Sequence, residues 1–202
     1  RMISKNLIEV YFIVIHHSGV LNSEKDPTSI NQWKSILKNH KKEFGKKYPW
    51  SISPYHFGIG KKGDIFTGQD ENFFCIHAGE DYYNFRSLAV SFLGNFNIET
   101  MNDNQLNSGI DLVKDLMEKY KIPLERVLRH KDIVPTDCPG KNFPWERFSN
   151  KLVNIPQYKY DSIEFAYKLG WIKNLHSPDE PLDFGTFLTI LKNFYEVIKN
   201  GY

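Results

Sequence analysis

The 202-residue sequence predicts a mixed α/β fold: a central mixed β-sheet flanked by helices, with a small C-terminal helical pair. Three observations point there. Short runs dense in β-branched and aromatic residues, LIEVYFIVIH at 7–16 and SLAVSFLGN at 87–95, alternate with segments whose apolar residues recur at helical spacing. The chain is 41% hydrophobic and 15% aromatic, which rules out disorder as the main state and allows one good-sized core. From about Asn154 the composition changes, which divides the chain into a domain over 1–150 and a helical appendage over 155–202.

The run at 7–16 reads as a buried central strand that ends at His16, where polar groups begin. Function collects at such strand ends. After the turn-rich SGVLNSEKDPT, the segment SINQWKSILKNHKKEFG sets Ile30, Trp33, Ile36 and Leu37 at helical spacing, with lysines opposite and Gly45 as a stop. YHFGIG and DIFTG, separated by KKG, read as two antiparallel strands of a hairpin. SLAVSFLGN is the next apolar strand. NDNQLNSGIDLVKDLMEKY at 102–120 is a helix with Leu106, Ile110, Val113 and Leu116 or Met117 on one face. RVLRH at 126–130 is a short extended run ending on His130, so two strands each end on a histidine. The appendage reads as helix, proline-bearing turn, helix, with Phe165, Leu169, Phe184, Phe187, Leu188, Leu191 and Phe194 as its apolar set.

Charge names no partner. Lysine and arginine number 26 against 24 acids, and a net charge of +2 argues for neither nucleic acid nor strong membrane attraction. There is no run of about 18 apolar residues, so no membrane insertion is expected. The opening RMISKNLIEVYFIVIHHSG does not read as a signal peptide, because its apolar part is short and leads into polar histidines. Cys75 and Cys138 allow at most one disulfide, which excludes a disulfide scaffold.

HKDIVPTDCPG at 130–140 puts a histidine and a cysteine eight positions apart on a loop with two prolines and a glycine. Imidazole and thiolate both suit zinc, and a loop of this length can return Cys138 to His130. A further histidine would complete three protein ligands and one open position, the composition of a catalytic zinc site. His16 and His17 are strand neighbours and point to opposite faces, so one of them faces a given site. The residues alone leave a plainer reading open: Cys138 as a small buried apolar residue and His130 as a strand-end hydrogen bonder.

Five segments, VIHHSG (14–19), SPYHFGIGKKGDIFTG (53–68), IHAG (76–79), LAVSFLGNF (88–96) and RHKDIVPTDCPG (129–140), resemble in this order the type 2 N-acetylmuramoyl-L-alanine amidases. That zinc amidase superfamily includes the peptidoglycan recognition proteins. The resemblance spans roughly 8–148 and implies a mixed sheet with helices around it and a zinc groove at the sheet edge. Carried onto this chain, it implies one Zn2+ held by His16, His130 and Cys138. Tyr55 matches the tyrosine that active members place beside the metal water. Thr136 falls where phage members carry a lysine and many recognition proteins a threonine, which makes it the second expected catalytic group. His77 matches a groove-lining histidine and is expected to touch substrate or to be structural. His17 is expected just behind the ligands or on the groove wall, and Trp50, unlike the other tryptophans, is expected to face substrate from a loop before the catalytic strand. Asp132 either orients a ligating imidazole or forms a solvated pair with Lys131. Cys75 matches no site motif and is expected in the core.

The partner implied is bacterial peptidoglycan, and the activity implied is cleavage between N-acetylmuramic acid and L-alanine by a phage endolysin or bacterial autolysin. Action at the cell wall follows, by a protein secreted or released by lysis. Residues 155–202 would target the wall, form a homodimer, or cover a flank of the first domain. The alternative is a non-catalytic recognition module, against which Cys138 and Tyr55 both argue. A muropeptide-recycling amidase usually has aspartate in place of the cysteine, and a zinc protease would call for an H-E-x-x-H that the chain lacks.

Overall fold

The computed structural model describes Asn6, residues 9–152 and Lys192. Its centre is a five-stranded sheet in the order β3-β2-β4-β1-β5. β1 (Phe12–His17) pairs in parallel with β4 (Ser87–Phe92) and with β5 (Val127–Arg129). β2 (Phe57–Ile59) pairs in parallel with β4 and antiparallel with β3 (Ile65–Thr67), so the sheet is mixed, as the sequence predicts. Every residue of β4 is buried, with the bulky Leu88, Val90 and Phe92 alternating with the small Ser87, Ala89 and Ser91.

Alternation along the strands sorts the two faces. Ile13 and Ile15 of β1 join Leu88, Val90 and Phe92 of β4 in one core. The helices α3 (Asp103–Tyr120) and α4 (Trp145–Leu152) close that core with Leu106, Ile110, Val113, Leu116, Phe148 and Leu152. Burying Phe148 completely contributes roughly 1.5–3 kcal/mol. α3 lies so close to β4 that a Cβ on Gly109 would stand 2.2 Å from the Phe92 ring. Gln105, also on α3, donates to the carbonyls of Ile59 and Leu93 at 2.8 Å each and ties together the ends of β2 and β4.

On the opposite face α1 (Ile30–Phe44) sets its buried Trp33 over β2, where a Cβ on Gly58 would lie 2.6 Å from the indole. His16, Ser87, Ala89 and Ser91 belong to this second face. A short helix, α2 (Asp81–Asn84), leads into β4. The expected extended run through His130 stops one residue early. Asp132 accepts from the Arg129 backbone N–H at 2.8 Å and from its guanidinium at 2.7 Å, which turns His130–Asp132 into a 3-10 turn.

The chain divides into two compact units, Arg1–Leu152 and Val153–Tyr202. The helical pair expected over 155–202 lies outside the described residues. Among the described residues no helix is long and apolar enough to cross a membrane.

Candidate metal centre

His16 stands near the end of β1 on the face away from the α3–α4 core and is 1% exposed. The loop after β5 supplies His130 and Cys138. Its ends are drawn together by the Lys131 N–H, which donates to the Cys138 carbonyl at 3.0 Å. One ligand atom from each of His16, His130 and Cys138 lies within 4.8 Å of the other two. His16 Nδ1 is 3.6 Å from Cys138 Sγ, and the His16 and His130 ring centroids are 4.6 Å apart. Residues 122 positions apart thus meet in one buried cluster.

The electrostatics keep all three ligands neutral in the free protein. Burial, helped by the neighbouring His77 and His130, holds the His16 imidazole well below the usual histidine range. Burial also lowers His130, against the opposing effect of a hydrogen bond to the Ala78 backbone. The Cys138 thiol is pushed up to about 11 by burial, opposed by the His17 backbone N–H, which donates to the sulfur at 3.4 Å.

His130 Nε2 is buried and makes no hydrogen bond among the described residues. A buried nitrogen without a partner costs about 1–3 kcal/mol. Two neutral imidazoles and a thiol converging around such an atom form a donor set able to hold a metal ion.

Tyr55, half-buried just before β2, has its ring centroid 5.2 Å from that of His16. Burial first and Cys138 second raise its pKa, while the nearby Ser91 hydroxyl opposes the shift. Ser91 Oγ itself is buried and lacks a partner in hydrogen-bonding geometry. Thr136 is exposed on the metal loop, where its Oγ1 accepts from the Cys138 N–H at 3.3 Å.

The three residues expected to face substrate each contact protein groups. His77 is 9% exposed, and both its ring nitrogens contact protein: Nδ1 lies 2.9 Å from His16 Nε2 and Nε2 lies 3.0 Å from Ser87 Oγ. It sits directly beside His16. His17 points to the other face, where its Nδ1 accepts from the Phe96 N–H at 3.1 Å, so its place is in loop support. Trp50 packs edge-on against Phe74 with centroids 4.7 Å apart, half-buried in an aromatic cluster with Tyr48 and Phe73. Asp132 grips Arg129 and so does not orient the His130 ring. Cys75 is fully buried.

Sequence reasoning missed Ser87, Asn84 and Ala78. Asn84 Oδ1 accepts from the backbone N–H groups of His77 and Ala78 at 3.0 and 2.9 Å, which fixes the IHAG segment behind the site. None of the three is of a type that announces a role in a linear sequence.

Residues 6–141 match the family described as N-acetylmuramoyl-L-alanine amidase. Peptidoglycan-recognition protein SC2 of Drosophila simulans is 30% identical over 132 residues, which cover 65% of this chain and 68% of that protein. The solved structure of N-acetylmuramoyl-L-alanine amidase LysC from Clostridium intestinale is 36% identical with a TM-score of 0.60, covering 75% of this chain and 90% of that one. Wild-type PGRP-LB from Drosophila is 28% identical with a TM-score of 0.57, over 68% of this chain and 79% of that one.

Proposed function

Because this chain belongs to the N-acetylmuramoyl-L-alanine amidase family, we propose that it is a zinc-dependent amidase cleaving the bond between the lactyl group of N-acetylmuramic acid and L-alanine in bacterial peptidoglycan. The observation that carries this reading is the buried, unpartnered His130 Nε2 beside His16 and Cys138. These three residues would hold one Zn2+ per chain. Bound there, zinc supplies Lewis acidity toward a carbonyl and generates a nucleophile from water near neutral pH.

The chain's own residues supply the rest. Tyr55, kept protonated by burial, donates a hydrogen bond to the amide oxygen as that oxygen gains negative charge. Thr136 Oγ1 already accepts from the Cys138 N–H, so its own hydroxyl proton is free for a second donation at the exposed edge of the loop. His16 and His130, held neutral, serve as ligands rather than as acids. Action on the wall as an endolysin or autolysin, by a protein secreted or released by lysis, belongs to the same reading. Residues 155–202 then serve wall targeting or homodimer formation.

A second reading, recognition of peptidoglycan without hydrolysis, is favoured by the peptidoglycan-recognition proteins among the relatives. Zinc content and release of L-alanine amino termini from intact peptidoglycan, with and without chelator, decide between the two. About one zinc per chain with chelator-sensitive release supports the amidase. Zinc and wall binding without release supports recognition. A chain that takes up no zinc overturns the ligand assignment.

A further inference from the structure

Behind His16 the buried polar atoms are connected in a line. His16 Nε2 lies 2.9 Å from His77 Nδ1, His77 Nε2 lies 3.0 Å from Ser87 Oγ, and Ser87 Oγ lies 2.6 Å from the Tyr83 carbonyl oxygen. The proton positions follow from the far end. A carbonyl carries no proton, so Ser87 commits its only hydroxyl hydrogen to Tyr83. Ser87 Oγ is then an acceptor, and His77 carries its hydrogen on Nε2. The other nitrogen of a neutral imidazole is bare, so His77 Nδ1 accepts a hydrogen from His16 Nε2. His16 Nδ1 is left with a free lone pair, 3.6 Å from the Cys138 sulfur. A hydrogen on both nitrogens of His77 would set its Nδ1 hydrogen against that of His16, so the contact itself calls for one hydrogen on each ring.

We propose that His77 is a positioning residue: with Ser87 and the Tyr83 carbonyl it forms a hydrogen-bond relay of fixed direction that locks His16 in the tautomer whose Nδ1 lone pair faces the metal. This rests on the reading of His16, His130 and Cys138 as metal ligands. The backbone holds both ends of the relay. Ser87 opens β4 opposite Phe12, and Asn84 Oδ1 grips the His77 and Ala78 N–H groups. Reversing the His77 tautomer would set the bare His77 Nε2 against a Ser87 lone pair or draw the Ser87 hydrogen away from the Tyr83 carbonyl, leaving a buried acceptor unpaired, which the protein interior penalises. A partner on the distal nitrogen makes a ligating imidazole more basic and fixes its plane, and loss of such a partner typically costs about 10–100-fold in metal affinity.

The test uses the full chain, freed of metal, with nitrogen-15 in its histidines. Long-range nitrogen–proton correlation spectra at neutral pH show which nitrogen of each ring carries hydrogen. The relay requires His16 and His77 both to carry it on Nε2. Ser87→Ala should allow Nδ1–H to appear in the His16 spectrum and should weaken zinc binding, read by chelator competition, about 10-fold or more. His77→Asn, whose Oδ1 falls near the former Nδ1, should recover most of the affinity that His77→Ala loses. A wild-type His16 carrying hydrogen on Nδ1 would overturn the relay. So would Ser87→Ala and His77→Ala chains that fold and bind zinc as tightly as the wild type. A wild-type chain that binds no zinc would sink the metal reading instead, while the metal-free spectra still decide the order of protons along the line.

Discussion

The His17 backbone N–H donates to the Cys138 sulfur at 3.4 Å, so the strand that presents one ligand also steadies another. A hydrogen bond to sulfur favours the thiolate over the thiol, and it is the effect that opposes burial at Cys138. Because His17 gives this bond from its backbone, its side chain is free to support the Phe96 loop on the other face.

Cys138→Ser should abolish tight zinc binding while leaving the fold intact, because serine keeps the size and loses the thiolate. Zinc content after gel filtration measures it, and full occupancy in the variant would remove Cys138 from the ligand set.

Metal affinity should rise with pH. The His16 and His130 rings are already neutral near pH 7, whereas the Cys138 thiol, at about 11, must give up its proton when the ion binds. One proton should therefore be released per zinc, and affinity should climb about tenfold per pH unit from 7 toward 10. Calorimetry in buffers of different ionisation enthalpy counts that proton. A count of zero would mean that the thiol is already ionised in the free protein.

Tyr55→Phe should lower turnover by about 10² or more with zinc content unchanged, because a hydrogen bond to the developing oxyanion is lost and no ligand is touched. Retained turnover would show that Tyr55 only lines the site.

The metal-free protein should lose stability as pH falls below neutral. His56 is fully buried, with Nε2 donating to the Phe73 carbonyl and Nδ1 accepting from the Ala89 N–H, each at 2.9 Å. Burial lowers its pKa to about 4, against an ordinary 6.5. Above 6.5 neither state is protonated there and the contribution is constant. Between about 6.5 and 4 the unfolded chain takes up the proton and the folded one does not, so stability falls by up to about 1.4 kcal/mol per pH unit and levels off below about 4. Urea unfolding at several pH values tests this, and His56→Asn should flatten the slope.

Gly58→Ala should cost about 1–3 kcal/mol by forcing Trp33 away from β2, read as a lower urea midpoint. An unchanged midpoint would mean that α1 has room to shift.

The sheet strands were legible in the sequence because strands with two covered faces are rich in β-branched and large apolar residues, as FIVI is in β1 and LAV is in β4. The helix at 103–120 was legible because its apolar residues repeat at the period of a helix resting on a sheet. His16, His130 and Cys138 could be singled out because few side-chain types bind zinc and their spacing matched a known pattern.

What the linear sequence left undecided was which neighbours each of these residues meets. His77 and His130 are the same residue type, yet one exposes an unpartnered nitrogen to the cluster while the other has both nitrogens occupied by His16 and Ser87. Ser87, Asn84 and the Ala78 backbone carry no chemical signature of their own. They matter because they hold the His77–Ala78 segment, and His77 in turn meets His16 of β1, 61 positions away, at 2.9 Å. The sequence by itself determined the strands and helices, which follow from local period, and singled out His16, His130 and Cys138 as candidate metal ligands through side-chain chemistry and the family resemblance. Only the tertiary structure decided which nitrogen of each histidine is free, because that depends on a hydrogen bond made across the sheet.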